Sequence, residues 1–174
     1  MAALKKKVQD YLEEIARDGL SEATFVQRHQ DPVLVEVEGD RSGSGSEEVA
    51  MTEKLDTAQM RRQSLSSREA AVLVLHPGPG GALRVGRAAH CELVIDHPSV
   101  SKEHARFTRK GKELALEDLG STNGTFHNYR RLDPHAPVAV MPDDALCFGR
   151  AGGWQLLDPP GLWSYLTLLQ KFAL

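Results

Sequence analysis

The sequence predicts a mainly β protein: a β-sandwich with short N-terminal helices and a C-terminal amphipathic helix. Three observations carry that expectation. Between residues 71 and 157, short apolar runs recur, separated by turns rich in Gly, Pro and Asp; many short strands so punctuated indicate two packed sheets. Within that stretch, Leu114 and Leu116 alternate with Glu113, Ala115 and Glu117, the period of a half-buried strand. At the chain ends the period changes. Leu4, Val8, Tyr11, Leu12 and Ile15 recur at helical spacing, as do Leu162, Tyr165, Leu166, Leu169 and Phe172.

The first segment, residues 1–38, reads as a helical extension. A helix is expected over residues 3–18, with Gly19 at its C-cap. Lys5, Lys6 and Lys7 oppose the dipole at its start, and Glu13 and Glu14 stand near the wrong end. Such a helix needs a surface to pack on. Ser21 caps a second short helix, with Glu22 in its first turn and Phe25 and Val26 facing inward; Asp31-Pro32 ends it. A short strand over residues 33–38 follows. Residues 39–70 read as a flexible linker, opening with the Gly/Ser-rich run Gly39–Ser46. From Glu47 to Arg68, the pattern Met51, Leu55, Ala58, Arg62 fits either a weak helix or an extended segment. This stretch holds two candidate phosphosites, Thr52 and Thr57, among Glu47, Glu48, Glu53 and Asp56.

The sandwich occupies residues 71–157. Strands are expected over Ala71–His76, Leu83–Val85, Leu93–Ile95, Ala105–Thr108, Glu113–Asp118, Val138–Val140, Ala145–Phe148 and Trp154–Leu157, with Phe126 and Leu132 continuing the pattern. Residues 77–81, Lys110-Gly111 and residues 142–144 are the turns between them. Asp158-Pro-Pro-Gly161 stops the sheet, and residues 158–174 end in a helix over Leu162–Ala173 that covers the sandwich edge.

One stretch carries chemistry. Gly86-Arg87, Ser101-Lys102-Glu103-His104 and Ser121-Thr122-Asn123-Gly124-Thr125 stand at the ends of apolar runs, on loops at one edge of a sheet. Loops on a rigid scaffold are where binding groups usually lie. Arg87 offers a charged planar fork that can hold a phosphate bidentately. Ser101 offers a hydroxyl and Lys102 a mobile charge. Gly86 permits a sharp turn or a close backbone approach. Each piece alone is weak: Arg87 could be a surface charge at a strand end, and Asn123-Gly124 fits any tight turn. Together, in this order, they are specific.

The stretch resembles the forkhead-associated (FHA) domain, a β-sandwich that binds phosphothreonine peptides, and the resemblance runs from about Ala71 to Leu157. It implies that Arg87 and Ser101 contact the phosphate. It implies too that His104 holds the serine loop from beneath, with Gly86 and Gly124 supporting the site. Asn123 would bond the ligand backbone just after the phosphothreonine, and Thr122 and Lys102 would add contacts. Two positions depart from the family. Ser99 stands where some relatives carry Arg. Tyr129 follows Asn128 where Gly is usual, so a turn with φ > 0 would strain it by roughly 1–2 kcal/mol, and Tyr129 is expected beside the ligand.

Composition bounds the rest. At 174 residues, one domain plus an appendage is expected. A net charge of −3 argues against general nucleic-acid binding, so any basic field is local, drawn from Arg84, Arg87, Lys102, Arg106, Arg109 and Lys110. Cys91 and Cys147 sit in apolar runs and read as buried and reduced, as suits a cytoplasmic protein. No run approaches the ~18 apolar residues of a membrane span. Asp143 and Asp144 are more simply a turn than an acid–base pair, and no nucleophile elbow or Walker-type loop appears. No enzyme activity, cofactor or metal is expected. The expected function is a phosphothreonine-binding adaptor in Ser/Thr-kinase signalling, its partner a Thr-phosphorylated protein such as a kinase or its substrate. The alternative is a self-regulated switch, in which phosphorylated Thr52 or Thr57 occupies the protein's own site and controls a partner enzyme. The compact layout suggests a bacterial source.

Overall fold

The computed structural model describes residues 5–37, 68–76 and 80–172. Its elements are β1 (Lys5–Lys7), α1 (Val8–Asp18), α2 (Glu22–Arg28), β2 (Val33–Val37), β3 (Ala71–Val74), β4 (Ala82–Gly86), β5 (Leu93–Val94), β6 (Ala105–Lys110), β7 (Glu113–Asp118), β8 (Thr125–His127), β9 (Arg130–Arg131), β10 (Val138–Val140), β11 (Ala145–Phe148), β12 (Gly153–Leu157) and α3 (Pro159–Phe172). The strands form a seven-stranded sheet, β1-β3-β2-β12-β11-β8-β9, and a five-stranded sheet, β10-β7-β6-β4-β5. Among the described strands, β4 and β5 pair in parallel and the other pairs are antiparallel; an isolated parallel bridge joins Asp118 and Pro134.

The seven-stranded sheet is buried on both faces, which explains the continuous apolar runs in its central strands. Along β3 and just past it, Leu73 and Leu75 face the other sheet while Val72 faces the helices. In β2, Leu34 joins the core between the sheets, and Val33 and Val35 join the helical side. Leu83, Val85, Leu93, Phe107, Leu116, Leu146, Phe148 and Trp154 complete the inter-sheet core. The second core holds Val8, Tyr11, Leu12 and Ile15 of α1, Phe25 of α2 and Leu162, Leu166 and Leu169 of α3. Fully burying each such side chain contributes roughly 1.5–3 kcal/mol. The outcome is three layers: sheet, sheet, helices.

The N-terminal segment differs from the sequence reading in two ways. Residues 5–7 are an edge strand and not helix; β1 pairs with Ala71–Leu73 of β3, and the helix begins at Val8. Three lysines would sit badly on a helix N-terminus, whereas charged side chains on a sheet edge discourage pairing with other chains. The carboxylate that the helix start needs comes from Asp10, whose Oδ2 accepts the Lys7 N–H at 2.7 Å. The second difference is larger. β2, expected in a separate extension, lies in the middle of the seven-stranded sheet between β3 and β12. A strand apolar on both faces needs cover on both, and only an interior position supplies it. Residues 38–70 therefore connect two hydrogen-bonded neighbours of one sheet. The helix considered within 47–68, and Thr52 and Thr57, lie outside the described residues.

The C-terminal helix starts earlier than expected, with Pro159 and Pro160 in its first turn, where a missing N–H costs nothing. It covers a face of the seven-stranded sheet and not its edge, and it meets the N-terminal helices: Trp163 lies 5.3 Å from Phe25, centroid to centroid. The Phe172 side chain lies outside the described residues. Cys91 and Cys147 are buried and form no disulfide. Among the described residues, no helix is long and apolar enough to cross a membrane.

Register places the ends of the strands. Val85 opposes Ala105, Ala105 opposes Asp118, Phe148 opposes Thr125, and Gly153 opposes Val37. The loops after β4, before β6, between β7 and β8, and between β11 and β12 therefore gather at one end of the sandwich.

Candidate functional site

At that end, backbone hydrogen bonds lace the loops together before any side chain is considered. Arg87 N–H donates to the Ser101 carbonyl at 2.9 Å and Ala88 N–H to the Lys102 carbonyl at 3.1 Å. Gly86 makes this approach possible. A Cβ built there would collide with the Lys102 carbonyl oxygen and stand 2.9 Å from Cys91 Sγ.

His104 is the internal strut. It is fully buried. Its Nδ1 accepts the Ser101 N–H at 3.0 Å, so the ring proton sits on Nε2, which donates to the Gly124 carbonyl at 2.9 Å. One neutral imidazole thus ties the loop before β6 to the loop before β8. Burial pushes its pKa below the ordinary histidine value, against the opposing pull of the Gly124 carbonyl and Asp118. The bonds demand the same neutral form, because a proton on Nδ1 would displace the Ser101 N–H.

Two supporting roles, those of Asp118 and Ser99, escaped the sequence reading. Asp118, 1% exposed, ends β7 and organises the loop that follows. Its Oδ1 accepts from Gly120 N–H and Ser121 N–H, each at 2.9 Å, and its Oδ2 from the hydroxyls of Ser121 and Thr125, each at 2.6 Å. Burial pushes this carboxyl up, but the Ser121 and Thr125 hydroxyls outweigh it and hold the pKa below the usual range. An Asp before Leu-Gly-Ser is a local Asx-turn signal, so this one was discoverable. Ser99 had no such signal. Its Oγ bonds His97 Nδ1 at 2.7 Å and accepts the Arg150 N–H at 2.8 Å, and its carbonyl accepts from Asn123 Nδ2 at 2.8 Å. Ser99 is thus a knot joining three loops.

On this frame stand Arg87, exposed, and Ser101 and Asn123, each half-buried. Arg87 Nε donates to the Val100 carbonyl at 3.2 Å, which orients the guanidinium; its terminal nitrogens have no partner among the described residues. Ser101 Oγ accepts the Thr122 N–H at 3.1 Å, which leaves the hydroxyl proton available. Asn123 is held through Nδ2, leaving Oδ1 to accept. Lys102 and the Thr122 side chain are exposed at the rim. The structure thus brings Arg87, Ser101, Lys102, His104, Thr122, Asn123 and Gly124 together at one end.

The basic field differs from expectation. Arg84 is paired with Glu92 and Glu103, Arg106 with Glu117, and Arg109 with Asp31. Glu92, held down to about 2 by Arg84, keeps that arginine engaged. Lys110 ends β6 and sits at the opposite end of the sandwich. Tyr129 is exposed as expected, but beside the wrong loops. β8 runs away from the site, and its turn bonds Ala145 and Asp144 at the far end. Asn128 and Tyr129 both have positive φ, 47° and 68°, the requirement of a two-residue hairpin turn. The Asn128 amide, bonded to Asp144 Oδ1 at 2.8 Å and to Ala145 N–H at 2.8 Å, holds Tyr129 in that conformation.

The FHA domain family model matches residues 83–149, the stretch from β4 to the end of β11. The chain carries an FHA domain. The human nuclear inhibitor of protein phosphatase 1 is 41% identical over 61 residues, 34% of this chain and 17% of that protein. Human kanadaptin is 33% identical over 86 residues, 43% of this chain and 12% of that protein. The chain thus spans less than a fifth of the length of these relatives. The solution structure of the FHA domain of an Arabidopsis thaliana hypothetical protein aligns over 74% of this chain and 85% of its own, with TM-score 0.50 and 25% identity. The FHA domain is a phosphothreonine-binding module of signalling proteins and not a catalytic one.

Proposed function

We propose that this FHA domain docks a Thr-phosphorylated protein, with the phosphate held between the Arg87 guanidinium and the Ser101 hydroxyl. One observation carries the reading: each group is oriented by one internal side-chain hydrogen bond and donates its remaining hydrogens to no other group among the described residues. Such donors fit a dianion with three acceptor oxygens. Asn123 Oδ1 would accept a backbone N–H of the ligand, with Lys102 and Thr122 adding contacts at the rim. His104, Gly86 and Gly124 support the site without touching the ligand. The protein would act as an adaptor in Ser/Thr-kinase signalling, its partner a kinase or a kinase substrate. Two buried cysteines outside any disulfide suit the cytoplasm.

Calorimetric titration with a phosphothreonine peptide, its phosphoserine twin and the unphosphorylated form tests this. Phosphoserine should bind roughly 10- to 200-fold more weakly, the value of one missing methyl in a fitted site, and the unphosphorylated form should not bind measurably. Equal binding of phosphorylated and unphosphorylated peptides would overturn the reading.

The self-regulated switch is supported by topology. Val37 pairs with Gly153, next to the turn whose Arg150 N–H bonds Ser99, and Ala71 lies one strand away. Residues 38–70 thus leave and return at the end that holds the site. A chain covers up to ~3.3–3.6 Å per residue, so about ten residues reach across that end. Phosphorylated Thr52 or Thr57 would occupy the site at a high effective concentration.

A further inference from the structure

We propose that the β11–β12 turn positions Asn123 through Ser99, and that His97, Ser99 and Gly149 thereby fix which atom of the Asn123 amide the ligand meets. This rests on the phosphothreonine reading above. An asparagine amide has an acceptor on one side and donors on the other, and its hydrogen-bond partners decide which way it points. Here the partner is the Ser99 carbonyl, which accepts from Asn123 Nδ2 at 2.8 Å. A carbonyl can only accept, so Nδ2 is committed to it and Oδ1 is the atom left for the ligand.

Ser99 is itself fixed from two sides. His97 Nδ1 accepts the Ser99 N–H at 3.2 Å, so this ring nitrogen carries no proton, and the Ser99 hydroxyl, 2.7 Å from it, donates. The hydroxyl oxygen then accepts the Arg150 N–H at 2.8 Å. These donor and acceptor directions are mutually consistent, which gives the serine one arrangement. The turn that supplies Arg150 comes close because its preceding residue is a glycine. Gly149 has φ +62°, and a Cβ there would stand 2.5 Å from the Ser99 carbonyl oxygen, the acceptor for Asn123. The Gly149 N–H donates in turn to the Gly124 carbonyl at 2.9 Å. The turn thus braces the asparagine twice, through Ser99 at its side chain and through Gly124 at the next residue of its backbone. His97, Ser99 and Gly149 are positioning residues: all three act through Asn123.

This sets a requirement on the ligand. With Oδ1 presented, the residue after the phosphothreonine must offer its backbone N–H. A ligand with an acceptor at that point leaves two acceptors facing each other, whereas an amide free to flip would receive either.

The test uses the full chain and two phosphothreonine peptides of one sequence, the second with the N–H directly after the phosphothreonine replaced by an ester oxygen. The wild-type protein should bind the amide peptide about three- to tenfold tighter than the ester, the range of one hydrogen bond. In Ser99→Ala and in His97→Ala this ratio should fall toward one, and the side-chain amide signal of Asn123 should move in the free protein. His97→Asn, whose side-chain oxygen can take the place of Nδ1, should restore both. Gly149→Ala should lower the ratio by pressing on the Ser99 carbonyl; the His97 and Ser99 variants decide the matter if it does not fold. A wild-type ratio of one overturns the proposal alone. So does a ratio that keeps its wild-type value in Ser99→Ala and His97→Ala while both peptides weaken equally, because these residues would then only hold the fold. Absence of any Arg87-dependent binding takes the phosphothreonine reading down with it.

Discussion

Replacing Arg87 with alanine is expected to weaken phosphothreonine-peptide binding at least tenfold while leaving the melting temperature essentially unchanged. Hydrogen bonds to charged groups are worth ~1.5–3 kcal/mol, and the Arg87 fork can supply two to one phosphate. Among the described residues the side chain makes one internal bond, Nε to the Val100 carbonyl, and it is exposed, so the fold loses little. The β4 end is held by backbone instead, through Arg87 N–H to Ser101 and Ala88 N–H to Lys102. Calorimetry and thermal melting under one salt condition check this. Full affinity in Arg87→Ala would place the phosphate elsewhere.

His104→Ala should do the opposite kind of damage: stability and binding fall together. The substitution strands the Ser101 N–H, takes from the Gly124 carbonyl one of its two donors while Gly149 N–H remains, and empties space beside Phe148, whose ring centroid is 6.0 Å away. Leaving buried polar groups unpaired costs ~1–3 kcal/mol. A loss of about 3 kcal/mol would lower the melting temperature by roughly 6–12 °C in a chain of this size. Binding falls because the loops of Ser101 and Asn123 lose their common strut.

The same ring gives the fold a pH dependence whose sign is fixed. The folded state depresses the His104 pKa through burial, so the unfolded chain takes the proton first. The stabilisation is complete above the unfolded value of about 6.5 and is lost as pH falls toward the folded value. His29 is also depressed by burial and contributes in the same direction. The diagnostic is therefore the difference between wild type and His104→Ala, with the variant showing the shallower slope between pH 7 and 5. Asp118, also depressed, acts lower: its contribution is lost only as pH falls below about 4.

How much of this was legible in the sequence depends on whether a feature is local. Gly86, Arg87, Ser101, His104, Asn123 and Gly124 sit beside short apolar runs and turn residues, so each could be placed on a loop without knowing the fold. Strand existence followed from the same signals across residues 71–157. Pairing did not. Nothing near Val33–Val37 says that it sits beside Gly153–Leu157, because register between strands distant in sequence is set by packing on both faces. Lys5–Lys7 misled through helical periodicity, since Leu4 and Val8 fit a helix but the charges between them fit an edge. Tyr129 could be flagged by its turn but not located, because which end of the sandwich a hairpin occupies is a property of strand direction.

The central claim is that phosphate is read at the end of the sandwich formed by Arg87, Ser101 and Asn123. Amide shift mapping tests it most directly. The uniformly labelled protein is titrated with a phosphothreonine peptide, and again after phosphatase treatment of the peptide. Saturable shifts should centre on Arg87, Ser101, Thr122 and Asn123 and disappear with the phosphate. Shifts centred on α1, α2 and α3, or unchanged by removing the phosphate, would contradict the account.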